Sequence, residues 1–225
     1  LRLTREAQVL ARLEHPGIAP VYEVGQLVDG RVYYTMKYVK GPRLDAYAAS
    51  KATLAERLRL FQRITEAVAF AHDRGVLHRD LKPENIMVGP FGEVLVMDWG
   101  LAKSLDAGVE ATAEQEAMDS TDIGHEVVHT AHGAVLGTPG YMAPEQARGE
   151  VAELDARTDV YALGAVMLFL LTQKVPPADV PLLSVPGVPK PLLAICRRAM
   201  APAAASRYPS ALELGSEIAR YLDGR

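Results

Sequence analysis

The sequence has a single cysteine and a single tryptophan in 225 residues, and little net charge. One cysteine, Cys196, excludes an internal disulfide framework and is typical of a reducing compartment, which favours a cytoplasmic location. The net charge of −4 argues against nucleic acid or an anionic membrane as the main partner. The longest apolar run, residues 160–172, is shorter than the roughly 20 residues that span a bilayer. With 49% hydrophobic residues, the chain is still able to bury a sizeable core.

One stretch carries side chains that are typical of phosphoryl transfer. Residues 78–85 read HRDLKPEN, and a second aspartate, Asp98, follows in the sequence DWG. Asp80 is able to accept a proton from an attacking hydroxyl, and Lys82 to neutralise charge on a transferring phosphoryl group. Asn85 and Asp98 offer the hard oxygen ligands that suit Mg²⁺. The pattern therefore predicts a base, a cation and two metal ligands at one site.

The spacing between the two metal-ligand candidates also predicts their proximity. Residues 86–88 and 93–97 read as short strands, and the glycine- and proline-containing segment 89–92 between them reads as a turn. Such a hairpin has Asn85 at its entrance and Asp98 at its exit. We therefore expect these two side chains to lie close together.

The order of motifs HRDxKxxN, DxG and APE is close to the signature set of protein kinases. Over residues 5–222 the chain resembles a bacterial, eukaryotic-like (Hanks-type) serine/threonine protein kinase. The resemblance implies an α+β, protein-kinase-like fold, with a mainly helical C-terminal lobe and a truncated, β-containing N-terminal lobe. It implies that residues 1–39 are helix C and strands 4 and 5 of the N-lobe. Residues 40–225 would be the C-lobe, with an activation segment at 98–145.

The resemblance implies transfer of the γ-phosphoryl group of ATP to Ser or Thr hydroxyls of protein substrates. ATP and Mg²⁺ are the cofactors that this reaction needs. In this scheme Asp80 orients the substrate hydroxyl and takes its proton, and Lys82 stabilises the transferring group. Asn85 and Asp98 hold Mg²⁺. Most of the rate gain is expected from positioning and electrostatics.

Five other residues are assigned to the active site or its support by the resemblance. Glu6 would pair with a lysine on strand 3. Thr138 would hydrogen-bond near Asp80 and Lys82 in the catalytic loop, residues 78–85. Together with the position of Lys82 two residues after the aspartate, this favours Ser/Thr over Tyr substrates. Glu145 is expected to form a buried ion pair with Arg207, since removing one partner would leave the other charge uncompensated. Asp159 is read as the cap of the apolar helix that follows, and as the residue that holds the backbone of the catalytic loop.

The adenine of ATP is assigned to three places in the chain by the same resemblance. Met36 is expected at the gatekeeper position, residues Lys37 to Val39 at the hinge, and Met87 beneath the adenine ring. These assignments follow from the alignment of motifs, because the side chains carry no distinctive chemistry of their own.

The remaining elements are read from local patterns. Strands are predicted at 18–23 and 31–39, where Val, Ile and Tyr are frequent. Thr53 and Glu56 form a capping box that begins a helix ending near His72. The apolar stripe of that helix comprises Leu54, Leu58, Phe61, Ile64 and Val68. Further helices are predicted at 192–200 and 210–222.

Residues 104–134 lack a strand or helix period and read as a mobile loop. Residues 104–126 contain seven acidic side chains and no Lys or Arg. Because the loop falls in the activation segment, its hydroxyl residues are candidate phosphorylation sites, and Arg79 is a candidate partner for an added phosphate. The candidate sites are Thr112, Ser120, Thr121 and Thr130.

Trp99 stands where kinases usually have phenylalanine, and is expected to pack against the helix that carries Glu6.

Two alternative functions remain open. His125, Glu126 and His129 form a literal HExxH, the string of zinc proteases, but valines and glycines surround it where those enzymes have a stable helix. The other alternative is a pseudokinase that serves as a binding or scaffolding module. We favour the kinase because its base, cation and both metal ligands are all present.

Two parts of the kinase pattern are missing. No glycine-rich loop or strand-3 lysine precedes Glu6, and the proline-rich stretch 174–191 replaces the family's helix G. Because the first residue is Leu1, we expect a fragment or a processed chain, which on its own would bind Mg-ATP poorly. The resemblance also leaves room for a membrane span or sensor domain beyond Arg225.

Overall fold

The computed structural model describes residues 13–29, 31–48, 52–99, 103–104, 138–176 and 185–224. The helices in these residues are α1 (Leu44–Ala48), α2 (Leu54–Asp73), α3 (Pro144–Ala147), α4 (Ala156–Thr172), α5 (Lys190–Ala199) and α6 (Ala211–Leu222). The strands are β1 (Val21–Gln26), β2 (Val32–Met36), β3 (Val76–Leu77), β4 (Ile86–Val88), β5 (Val94–Val96) and β6 (Lys103–Ser104).

Helix α2 begins at the capping box that the sequence predicts. The Thr53 hydroxyl accepts the backbone N–H of Glu56 at 3.3 Å, and the Glu56 carboxylate accepts the backbone N–H of Thr53 at 2.7 Å. Four of the five predicted stripe residues are buried, but Leu54 is 37% exposed. That part of the prediction is wrong because Leu54 is the first helical residue and precedes the turn that packs against the core.

Helix α4 lies at the centre of the hydrophobic core. All of its residues from Thr158 to Leu170 are buried, and it contacts α2, α5 and α6. It begins earlier than predicted, since Asp155 is the N-cap and accepts the backbone N–H of Arg157 at 2.7 Å. Asp159 is therefore not the cap of this helix. Its carboxylate lies within the first turn and does not cap the helix, so it can accept hydrogen bonds from residues 78 and 79.

The strands form three two-stranded antiparallel sheets, β1–β2, β3–β6 and β4–β5. The pairing of β4 with β5 gives the predicted hairpin, with Ile86 opposite Val96. Ser104 pairs with Val76 in the β3–β6 sheet, so the prediction that the segment from 104 onward lacks a strand is wrong at its first residue. Residues 105–137 lie outside the part of the chain that the structure describes.

A connector, residues 37–43, joins β2 to α1 and passes beside β4. The backbone N–H of Val88 donates to the Pro42 carbonyl at 2.9 Å, and Arg43 forms a bridge with Met87. Gly41 has a φ of 143°, and a Cβ built on it would lie 2.1 Å from the Val88 carbonyl oxygen. Only glycine allows this close approach.

The stretch predicted as a proline-rich loop is partly helical. Helix α5 begins at Lys190, with Pro191 in its first turn where a proline is tolerated. The preceding residues that the structure describes, 173–176 and 185–189, contain no helix. Ser210 is the N-cap of α6 and accepts the backbone N–H of Glu213 at 3.2 Å, so this helix begins one residue later than predicted. Among the described helices, none combines the length and apolarity needed to cross a membrane.

Candidate active site

The β4–β5 hairpin brings the two predicted metal ligands to the same place. Residues Pro83–Asn85 form a short 3₁₀ turn that leads directly into β4. At the other end of the hairpin, the backbone N–H of Met97 donates to the Asn85 carbonyl at 2.8 Å. Asp98 is the next residue, so it lies beside Asn85, as the strand–turn–strand pattern predicts.

Asp80, Lys82 and Thr138 form a closed triangle of polar contacts. The Lys82 ammonium lies 2.7 Å from Asp80 Oδ2 and donates to the Thr138 hydroxyl at 2.8 Å. The Thr138 hydroxyl in turn donates to Asp80 Oδ1 at 3.0 Å. The side chains of Asp80 and Lys82 are 10% and 22% exposed, so the group remains accessible at one side. A carboxylate and a cation are thus fixed together at the surface.

Asn85 is oriented with its amide oxygen available. Its amide nitrogen donates to the Asp80 carbonyl at 2.8 Å and to Asp80 Oδ2 at 3.2 Å. The side chain of Asp98 is exposed and has no hydrogen-bond partner within the described residues. Hard oxygens without a hydrogen-bond partner among the described residues fit Mg²⁺, which binds one or two protein carboxylate or amide groups and keeps waters and phosphates as other ligands. No cluster of three or more His, Cys, Asp or Glu suited to a metal occurs in the residues described.

Asp159 fixes the backbone of the catalytic loop. Its two carboxylate oxygens accept the backbone N–H groups of His78 and Arg79, each at 2.8 Å. The Nε2 of His72 lies 2.8 Å from Asp159 Oδ2. Burial alone would raise the pKa of Asp159, but the His72 contact and the neighbouring His78 hold it below its ordinary value. The carboxylate therefore stays ionised and keeps its hydrogen bonds.

His78 is a buried neutral imidazole that links the catalytic loop to β5. Its Nδ1 accepts the backbone N–H of Asp80 at 3.3 Å, so the ring proton is on Nε2, which donates to the Met97 carbonyl at 2.9 Å. Burial lowers the pKa of His78, and the surrounding acidic side chains oppose this only in part. Sequence reasoning missed this role, because the motif shows only that a histidine is present.

Arg79 is held in the left-handed region of the backbone, with a φ of 71°. Its N–H is bound by Asp159, and its carbonyl accepts the side-chain amide of Gln146 at 2.5 Å. Burial lowers the pKa of its guanidinium, and the Nε has no partner among the described residues. Gln146 is a second positioning residue that the sequence did not reveal, since nothing in its local pattern points to residue 79.

Glu145 and Arg207 form the buried ion pair expected from the sequence. The two guanidinium nitrogens lie 2.6 and 2.7 Å from the two carboxylate oxygens, in a bidentate arrangement. Arg207 also donates to three backbone carbonyls, and the Thr158 hydroxyl donates to Glu145. Burial alone would raise the pKa of Glu145, but hydrogen bonds from Arg207 and its neighbours lower it. Through the Thr158 hydroxyl and the Arg157 carbonyl, the pair also connects α3, which follows the segment that contains Thr138, to the first turn of α4.

The residues assigned to adenine lie along the connector and β4. Met36 is half-buried at the end of β2, opposite Val21, and the Lys37 N–H donates to the Pro20 carbonyl at 3.0 Å. Met87 is half-buried at the middle of β4, beside the connector. Val39, also half-buried, lies within the connector. Their contact with adenine stays a prediction.

Several predicted residues lie outside those that the structure describes, so their roles stay predictions. They are Glu6, Thr112, Ser120, Thr121, Thr130, and the HExxH residues His125, Glu126 and His129. The expected packing of Trp99 against the helix that carries Glu6 is untested for the same reason.

Comparison with known proteins identifies the family to which this fold belongs. The model of the protein kinase domain matches residues 1–181. The chain belongs to the protein kinase family. Its α+β, protein-kinase-like fold is thereby confirmed, and use of ATP follows from the family. Neither the pseudokinase nor the zinc hydrolase is favoured by these comparisons.

The chain is similar to bacterial serine/threonine-protein kinases. Over 261 aligned residues it is 36% identical to serine/threonine-protein kinase PknD of Protochlamydia amoebophila, an alignment that covers 100% of this chain and 26% of that protein. It is 34% identical to PknD of Chlamydia pneumoniae over 256 residues, covering 99% and 26%. The chain thus spans about a quarter of the length of these curated relatives.

Proposed function

We propose that the protein is a serine/threonine kinase that transfers the γ-phosphoryl group of ATP to protein hydroxyls. The observation that carries this proposal is the triangle of Asp80, Lys82 and Thr138, next to the side-chain oxygens of Asn85 and Asp98. A base, a cation and two hard oxygen ligands at one accessible site are the parts that phosphoryl transfer to a hydroxyl requires.

Each part has a distinct task in the proposed reaction. Asp80 accepts the hydrogen of the substrate hydroxyl and orients its oxygen toward the phosphorus. Lys82 stabilises the negative charge of the transferring group, and it also holds the Asp80 carboxylate in place at 2.7 Å. Asn85 and Asp98 would hold Mg²⁺, which neutralises phosphate charge when bound. Positioning of these groups accounts for most of the proposed rate gain.

The test is an Asp80→Asn variant of the complete protein. Asparagine keeps the shape of the side chain but cannot take the proton, so we expect phosphoryl transfer to fall by about 10²-fold or more. Asp73→Asn is the matched control, because Asp73 is 80% exposed and lies outside the site. Transfer of ³²P from ATP to a protein substrate is the measurement. Wild-type activity in Asp80→Asn would reject the assignment.

We also propose that phosphorylation of the activation segment regulates the enzyme through Arg79. The guanidinium of Arg79 is half-buried, and its Nε has no described partner, so a phosphate would supply one. The candidate sites are Thr112, Ser120, Thr121 and Thr130. Mass spectrometry of active protein tests this, and an active protein with none of these residues phosphorylated contradicts it.

We propose a cytoplasmic kinase domain joined to further domains. The lone buried cysteine and the requirement for ATP support the location, and the greater length of the relatives supports the additional domains. Cell fractionation and sequencing of the native gene on both sides of this chain test the two statements separately.

A further inference from the structure

Trp99 forms a hydrogen bond that a phenylalanine at the same position could not form. It is the only tryptophan in the sequence and is 4% exposed. Its indole N–H donates to the Val96 carbonyl at 3.1 Å, and its ring lies against the His78 ring, with centroids 4.6 Å apart. A phenylalanine ring could also pack against His78, but the hydrogen bond to the Val96 carbonyl requires the indole nitrogen.

Asp98, between Met97 and Trp99, has a backbone conformation that needs support. Its φ is 58°, in the left-handed region, which a non-glycine residue occupies only when its surroundings impose it. Met97 supplies one side of that support, since its N–H donates to Asn85 and its carbonyl accepts from His78. On the C-terminal side of Asp98, the contacts among the described residues are those of the Trp99 side chain with Val96 and His78.

We propose that Trp99 is a positioning residue, whose indole N–H holds Asp98 in the conformation that directs its carboxylate toward Mg²⁺. This inference rests on the proposed function, because it gives Asp98 the role of metal ligand. Removal of the indole N–H leaves no unpaired acceptor, since the Val96 carbonyl also accepts the backbone N–H of Ala19 at 3.2 Å. Substitution by phenylalanine therefore removes this hydrogen bond without leaving a buried acceptor unsatisfied.

The test compares nucleotide binding by wild type and Trp99→Phe in the complete protein. Calorimetry measures ADP affinity once with Mg²⁺ and once with EDTA. We expect the affinity with Mg²⁺ to fall about three- to ten-fold, the range for loss of one neutral hydrogen bond, with no change in EDTA. Phe91→Ala is the matched control, because Phe91 is 90% exposed at the turn of the same hairpin and should change neither affinity.

Kinetics separate a positioning role from a merely structural one. In Trp99→Phe the Mg²⁺ concentration for half-maximal transfer should rise, and kcat should return toward the wild-type value at high Mg²⁺. Unchanged ADP affinity with Mg²⁺ overturns the proposal. An equal loss of affinity with Mg²⁺ and with EDTA also overturns it, because the defect would then not involve the metal.

A measurement without nucleotide keeps the proposal separate from the proposed function. In protein labelled with ¹⁵N-tryptophan, the indole signal absent from Trp99→Phe belongs to Trp99. Slow exchange of that indole proton, together with faster amide exchange at residues 97–99 in the variant, supports the positioning of Asp98 by Trp99 even if the wild type neither binds ADP nor transfers phosphate. Rapid indole exchange in the wild type overturns the proposal, whatever the enzymatic activity.

Discussion

The carboxylate of Asp159 accepts the backbone N–H of Arg79 at 2.8 Å, from a residue 80 positions away in the sequence. Arg79 has a φ of 71°, and this hydrogen bond opposes the strain of its left-handed backbone. Asp80 follows directly, so the orientation of the proposed base depends on a carboxylate in the core. The rigid helix α4 thus determines the geometry of a surface loop.

The first prediction concerns Asp159→Asn. The amide can accept at its oxygen only, and its NH₂ group would face a backbone N–H of His78 or Arg79. We expect the free energy of unfolding to fall by about 2–4 kcal/mol, because buried donors lose a charged acceptor. Urea denaturation is the measurement. Asp155→Asn is the control and should change stability by only a few tenths of a kcal/mol, since asparagine is also a good N-cap. Equal losses in the two variants would contradict the prediction.

The second prediction compares two ion pairs that have the same shortest distance of 2.6 Å. The Arg207 and Glu145 side chains are 0% and 5% exposed, whereas those of Arg220 and Glu217 are 60% and 29% exposed. Arg207→Ala should cost about 3–5 kcal/mol, because it leaves Glu145 buried without its partner. Arg220→Ala should cost less than about 1 kcal/mol, since water screens that pair. Chemical denaturation decides between this expectation and equal costs.

A double-mutant cycle extends the same comparison. In the buried pair the double variant Glu145→Ala/Arg207→Ala should be more stable than the sum of the single losses implies, by about 1–3 kcal/mol. The corresponding term for Glu217 and Arg220 should be near zero. Additive losses in the buried pair would show that packing, and not the ion pair, determines the cost.

The third prediction is a pH dependence caused by His78. Its folded-state pKa lies below the ordinary histidine value of about 6.5, because burial disfavours the imidazolium. Below that value the unfolded chain binds a proton that the folded protein does not, so the contribution of His78 is complete above pH 6.5 and is lost as the pH falls through the folded pKa. The slope should approach about 1.4 kcal/mol per pH unit.

Unfolding free energies measured between about pH 7.5 and 5.5 test this in wild type and His78→Gln. The variant should be less stable at high pH but should show a shallower slope. His15, whose pKa is also lowered by burial, contributes a dependence of the same sign and leaves a residual slope in both proteins. Parallel slopes in the two proteins would contradict the assignment to His78.

The sequence predicted those features that local patterns determine. The capping box at Thr53 and Glu56 and the hairpin between Asn85 and Asp98 each depend on residues close together in the chain. Their hydrogen bonds follow from spacing and backbone geometry alone. The burial of the Glu145–Arg207 pair is not local, and it was predicted only because the family resemblance indicated it.

The sequence did not predict features that depend on distant partners or on short elements. Helix α1 has five residues, too few for a helical period to be recognised. The start of α4 was misplaced because two aspartates, Asp155 and Asp159, precede its apolar run, and only the tertiary structure shows which one caps it. Gln146 binds the carbonyl of Arg79, 67 positions away, and no local signal reveals such a contact.

The last prediction separates the hydroxyl of Thr138 from its bulk. Thr138 receives a hydrogen bond from Lys82 and donates one to Asp80, so it maintains the angle between the proposed base and the cation. In the complete protein Thr138→Val keeps the volume but loses both bonds, and kcat should fall about 10- to 100-fold through misalignment of the two groups. The KM for ATP should change little, because none of the described contacts links Thr138 to the residues assigned to adenine. Thr138→Ser retains the hydroxyl and should restore most of kcat. If serine and valine reduce kcat equally, the methyl group and its packing matter, and the hydrogen-bonded triangle does not.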